Sequence, residues 1–146
     1  LRIRAGKLRD KQKSNYLEGR LGVIIDSTGS NADKLISQSG GLQELGYDTY
    51  MIFVNTSVDV ALKRNAERSR SVPTPIVVNA WKAVQNNIGR FSQHFTGGNF
   101  IVVDNNDVSE DELAKVQKII RRLVKKKVTN TRAKNWISME LAKKRR

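Results

Sequence analysis

The chain has 146 residues, enough for one domain with a real core and too few for two. It holds no cysteine, which excludes disulfide staples, thiolate zinc sites and a cysteine nucleophile, and it has no apolar run long enough to span a bilayer. Its net charge of +13 points to a polyanion partner, yet the charge belongs to the two ends: residues 1–20 balance to +5 and 115–146 to +12, while 21–114 balance to −4.

Residues 6–20 read as a polar helix with Tyr16 and Leu17 as its few apolar anchors. Leu21-Gly22-Val23-Ile24-Ile25 is a short continuous apolar run, the pattern of a strand buried on both faces of a parallel sheet. It stops at Asp26-Ser27-Thr28-Gly29. A helix is expected from about Asn31 to Leu45, with Leu35, Ile36, Leu42 and Leu45 inward and Gly46 as its C-cap. Gly40-Gly41 weaken it, each costing roughly 1 kcal/mol against alanine. Thr49–Val54 is the second strand, ending in Asn55-Thr56-Ser57. Ser57 caps a short helix through about Glu67, and the Arg-rich stretch Arg68-Ser69-Arg70-Ser71 follows. Thr74-Pro75 opens a long helix, with proline where its missing N–H costs nothing. Val77, Trp81, Val84, Ile88 and Phe91 recur along one face of it, and Gly97-Gly98 make a turn. Phe100–Val103 is the third strand, ending in Asp104-Asn105-Asn106-Asp107. Ser109 and Glu112 form a capping box for a helix to about Lys125, with Leu113, Val116, Ile120 and Leu123 on one face. A last helix covers Thr131–Lys143 with Trp136, Ile137 and Leu141. No internal repeat is visible.

Alternating apolar strands and helices predict an α/β domain with a mostly parallel sheet between helical layers and right-handed crossovers. All three strands end in small polar residues, and in open α/β sheets ligands bind beyond the carboxyl ends of the strands. Asp26, Ser27, Thr28, Asn55, Thr56, Asn105 and Asn106 therefore rim one crevice. Taken singly, each also fits an ordinary turn or cap.

The run Leu21–Ile25 with Asp26-Ser27-Thr28-Gly29, then Leu45-Gly46-Tyr47 and Met51-Ile52-Phe53-Val54-Asn55-Thr56, then the helix Val58–Arg70 with Arg64, Arg68 and Arg70 ahead of Val72-Pro73, resembles the zeta-toxin and polynucleotide-kinase-like branch of P-loop kinases, which includes kinases encoded by phages. The resemblance covers about residues 20–106. It implies a P-loop kinase sheet and an ATP- and Mg2+-dependent phosphotransferase. In that family a phosphate loop and its lysine hold ATP, a carboxylate deprotonates the acceptor hydroxyl, and lid arginines neutralise the transferring phosphoryl group. On it, Asp26 and Thr28 match acceptor-side contacts, and Asn105 and Asn106 nucleotide-side ones. Arg64, Arg68 and Arg70 match the lid arginines, with Arg64 and Arg68 one helical turn apart. A planar guanidinium fork suits phosphate oxygens. The same three arginines also fit a solvated basic helix end that favours the helix dipole. A cytoplasmic setting is implied, that of the host if the protein is phage-encoded.

One departure from the family matters. The phosphate-loop pattern G-x-x-x-x-G-K-[ST] does not occur in this sequence. The nearest string, Gly29-Ser30-Asn31-Ala32-Asp33-Lys34-Leu35, has no glycine before its lysine and no hydroxyl after it. The expectation is that the family's first strand, loop and second strand precede Leu1. Asp26 is therefore not assigned as the base, tight ATP binding is not expected, and the kinase-like sheet is expected to be incomplete at its N-terminal side. The phosphate-loop strand would lie between the strands matching Ile24 and Phe53. Either those two strands pair directly, or chains associate into a homo-oligomer.

The rest of the sequence divides into a basic N-terminal helix (1–20), a partial kinase-like core (21–127) and a basic C-terminal helix or tail (128–146). The lone His94 supports neither a catalytic triad nor a multi-histidine metal site and reads as an exposed helix-end residue. Asp104, Asp107, Glu110 and Asp111 read as helix N-terminal charge. The basic ends fit either a nucleic-acid backbone or a solvated tail. No membrane partner is implied.

Overall fold

The computed structural model describes residues 2–107 and 109–145. Among them are six helices and two strands: α1 (Arg2–Glu18), α2 (Ala32–Glu44), β1 (Met51–Asn55), α3 (Val58–Ala66), α4 (Thr74–His94), β2 (Phe100–Asp104), α5 (Glu110–Val124) and α6 (Thr131–Lys144). The strands pair in parallel, with Met51 opposite Phe100 and Asn55 opposite Asp104. Helices α3 and α4 form the crossover that a parallel pair requires.

The core is small. Phe91 is fully buried, and Ala32, Phe53 and Phe95 join it, with Leu35, Ile36, Met51, Val84, Ile88 and Phe100 packed around them. The expected face of α4 thus meets β1 and α2. Polar contacts bind the same three elements. The buried Ser39 hydroxyl of α2 lies 2.9 Å from Thr49 Oγ1 and 3.0 Å from His94 Nε2. His94, expected to be exposed, is half-buried there, with its ring edge-on to Phe95 at 4.8 Å. A polar side chain in the last turn of α4 satisfies a buried hydroxyl, which helical spacing does not reveal.

Local signals decide the helix boundaries. Asn31, Ser57, Ser109 and Asn130 cap α2, α3, α5 and α6 through their side chains. The capping box is half made: Ser109 Oγ accepts from Glu112 N at 3.2 Å, but the Glu112 carboxylate turns to Lys115. Gly40 and Gly41 lie inside α2 without breaking it. At the end of α2, Gly46 has φ +107 while its N–H donates to Gln43 O and that of Tyr47 to Leu42 O, a Schellman closure. A Cβ at Gly46 would stand 3.3 Å from the backbone nitrogen of Ala133, so this glycine also lets α6 approach. Arg20 closes α1 by the same pattern at φ 54.

Leu21–Ile25, expected as a strand, is not one. It forms no regular structure, and Ile24 is 99% exposed. A strand exists only when a neighbour takes its backbone hydrogen bonds, and among the described residues the sheet ends at β1 and β2. The mostly parallel three-layer sheet is therefore seen here as one parallel pair. Direct pairing of Leu21–Ile25 with β1 does not occur. The segment is held instead at its amino end, where Arg20 donates to Leu45 O and Tyr47 Oη donates to Leu21 O at 3.1 Å. No helix among the described residues is long and apolar enough to cross a membrane.

Candidate functional site

Beyond the carboxyl ends of β1 and β2, the polar residues bind one another. Asn106 is the hub. Its Oδ1 accepts the Ser57 N–H at 2.7 Å, its Nδ2 donates to Asp104 Oδ1 at 2.7 Å, and its backbone N–H donates to the same oxygen at 2.9 Å. The Asn105 N–H extends the ladder to Asn55 O at 2.8 Å. Helix α4 supports the β1 end: Trp81 Nε1 donates to Thr56 O at 2.8 Å and Gln85 Nε2 to Asn55 Oδ1 at 3.0 Å. Backbone tied by hydrogen bonds in this way is what holds a binding crevice in shape.

The three arginines separate. Arg64, half-buried on α3, donates Nη1 to Asn105 O at 2.7 Å and Nη2 to Asn106 O at 3.1 Å. Its fork thus holds the loop after β2. Arg68 and Arg70 are exposed and lie past the end of α3. The expected one-turn spacing of Arg64 and Arg68 fails because the helix stops at Ala66, with Glu67 as its cap. The reason lies in Asn65. Its Nδ2 donates to Val72 O at 2.7 Å and its Oδ1 accepts Val72 N–H at 3.0 Å. This two-point clasp turns residues 66–71 into a closed loop that carries Arg68 and Arg70 into solvent.

Asp26 and Thr28 lie on a different segment, exposed. Thr28 Oγ1 is 3.1 Å from Ser30 Oγ. The segment is tied to α4, since Asn87 Nδ2 donates to Gly29 O at 3.0 Å and Ser30 O at 3.1 Å. A Cβ added at Gly29, at φ +77, would stand in ordinary contact with Val84 and Phe91. Both Asp26–Gly29 and the end of β1 are therefore fastened to α4, at Asn87 and at Gln85. Sequence reasoning missed Asn65, Gln85 and Asn87 as fasteners, whose only signal was a polar side chain on an otherwise regular helix, and it gave Trp81 to the apolar face of α4 without its bond to Thr56 O.

The segment before α2 ends in Asn31, whose side chain accepts the Lys34 N–H at 2.9 Å, so the helix start is capped from within and is not open as a phosphate cradle. Among the described residues no group of three His, Asp or Glu side chains could hold a metal ion. Asp104, Asp107, Ser109 and Glu112 line a shallow acidic depression at the end of β2.

A family model described as zeta toxin matches residues 2–130. The match takes in α1 and ends at Asn130, the cap of α6, wider than the stretch that carries the resemblance in sequence. Comparison with curated proteins and with solved structures gave no match.

Proposed function

As the chain belongs to the zeta toxin family, we propose that it is the nucleotide- and acceptor-binding part of a kinase-like phosphotransferase and does not transfer phosphate by itself. The observation that carries this reading is the clasped loop: Asn65 closes residues 66–71 on Val72 and leaves Arg68 and Arg70 free to meet an anionic phosphoryl group. Arginine suits that role because its planar fork keeps its charge at any working pH. Arg64 acts as a positioning residue, since its guanidinium is committed to the Asn105 and Asn106 carbonyls. Asp26 and Thr28 face the acceptor, and the Asn105–Asn106 turn faces the nucleotide. A kinase sheet of this type needs strands beyond β1 and β2, and a phosphate loop of a pattern this sequence does not contain. That is why no turnover is expected of these residues alone.

The test is a phosphoryl-transfer assay on the purified chain with ATP and Mg2+, using nucleoside, sugar-nucleotide and polynucleotide acceptors. No transfer and no ATP hydrolysis are expected. Transfer that Asp26→Ala or Arg68→Ala abolishes would overturn the reading.

A further inference from the structure

The basic ends of the sequence meet in space on one short segment. Residues 44–50, the end of α2 and its connection to β1, receive a contact from each terminal region. Arg20 donates to Leu45 O, and Arg132 donates to Glu44 O at 2.7 Å. Asn130 Nδ2 donates to Gln43 O at 2.8 Å and Tyr47 O at 3.2 Å, and Thr129 binds the Asp48 carboxylate through N–H and hydroxyl. Lys126 Nζ lies 5.0 Å from the Tyr50 ring centroid and donates to Asn99 Oδ1 at 3.3 Å. Cations 112 positions apart in the chain, Arg20 and Arg132, thus stand on neighbouring carbonyls.

This surface lies at the amino ends of β1 and β2, because Tyr50 and Asn99 directly precede Met51 and Phe100. It is the pole opposite the acidic depression of Asp104, Asp107 and Glu112. Lys125, Lys126, Lys127 and Lys134 are exposed. Among the described residues none of them, nor Arg20 or Arg132, makes an ion pair; the ion pairs are Arg9–Asp10, Arg90–Asp33, Lys115–Glu112 and Lys143–Glu140. An aromatic ring stands among the cations. The Arg20 guanidinium lies 5.6 Å from the Trp136 ring centroid, and Trp136 remains 42% exposed. An arginine laid on an exposed indole is half of a stacking platform whose free surface a base can take.

We infer that this pole binds single-stranded nucleic acid, with Lys125–Lys127, Arg132 and Lys134 tracking phosphates and Trp136 stacking a base. Charge complementarity selects a polyanion, and the exposed indole beside Arg20 selects unpaired bases over a duplex. RNA and DNA strands share this chemistry. The inference stands apart from the phosphotransfer reading, since the surface lies at the other end of the strands and uses none of Asp26, Arg68 or Arg70.

Fluorescence anisotropy with labelled single-stranded DNA, single-stranded RNA, a duplex of the same length and heparin tests it. About five phosphates at roughly −0.7 per phosphate give a log–log salt slope near −3.5, or roughly a hundredfold loss between 50 and 200 mM salt. Replacing Lys125, Lys126 and Lys127 together by Gln should lower affinity at least about tenfold and flatten the slope by about two. The same change at Lys7, Lys11 and Lys13 of α1 should do much less. Trp136→Ala should weaken single strands roughly tenfold and leave duplex and heparin binding unchanged, with circular dichroism confirming the fold. Trp136→Phe should restore part of the loss. Equal losses from the α1 and 125–127 variants, or single-strand binding indifferent to Trp136→Ala, would overturn the proposal and leave only unspecific attraction to a basic chain. Binding confined to a single-strand RNA or DNA arm would support it and name the sugar.

Discussion

Replacing Arg64 by Ala should destabilise the fold before it affects any ligand. The guanidinium makes two hydrogen bonds, 2.7 and 3.1 Å, to the Asn105 and Asn106 carbonyls. Bonds from a charged donor are worth about 1.5–3 kcal/mol each when buried. Arg64 is only half-buried, so water recovers part of the loss at both carbonyls, and about 2 kcal/mol in total is the expectation. For a chain of this size that lowers the melting temperature by about 4–8 °C. The Asn106 carboxamide, which bonds Ser57 N–H and Asp104, should keep the strand ends joined, so the variant folds with a looser turn after β2. Arg64→Lys offers a single cationic head for two carbonyls and should recover about half. Urea unfolding followed by circular dichroism, with the slope checked for constancy, reads this directly. Arg64→Ala within about 0.5 kcal/mol of the parent, together with lost phosphate binding, would refute the positioning role and return Arg64 to the ligand.

Three further outcomes are expected. Asn65→Ala removes both bonds to Val72, so trypsin should cut after Arg68 and Arg70 several times faster while the rest of the chain stays intact; an unchanged rate would mean that the clasp does not hold the loop. Arg90 lowers the Asp33 carboxyl below its ordinary value, first by its hydrogen bond and then by its charge. Stability from this pair is therefore fully present above the ordinary carboxylate range and lost as the pH falls through the lowered value; Asp33→Asn should remove that part of the acid dependence, and an unaltered acid profile would contradict it. The outer edge of β1 and the exposed Ile24 leave strand-forming backbone unpaired, which invites pairing between copies; light scattering should show concentration-dependent association that Ile24→Lys suppresses, and a monomer at all concentrations would remove the homo-oligomer from the account.

What could be read from sequence follows the range of the interactions. Caps at Ser57 and Ser109 and the Gly46 closure depend on residues a few positions away, and all were legible. So was the apolar face of α4 from Val77 to Phe91, because one helical period repeats through it. Leu21–Ile25 has the composition of a strand, but its state is set by a neighbour that composition does not contain. Arg64 and Arg68 share a helical face only if the helix continues, and the Asn65–Val72 clasp that accompanies its end spans seven residues with no spacing rule. Arg64 meets Asn105 and Asn106 across 41 and 42 positions, and His94 meets Ser39 across 55. Such contacts exist only once the crossover has brought the two strands together. The gathering of both basic ends on residues 44–50 was hidden for the same reason, although the charge asymmetry behind it was plain.

That the clasped loop presents Arg68 and Arg70 to an anionic phosphoryl group is tested by titrating the isotopically labelled chain with ATP and with pyrophosphate while following backbone amide resonances. Weak, saturable shifts confined to residues 68–71, 55–57 and 105–106, lost in the Arg68→Ala/Arg70→Ala variant, are the predicted result. Shifts confined to residues 125–136, or none at residues 68–71 at saturating ligand, would contradict it.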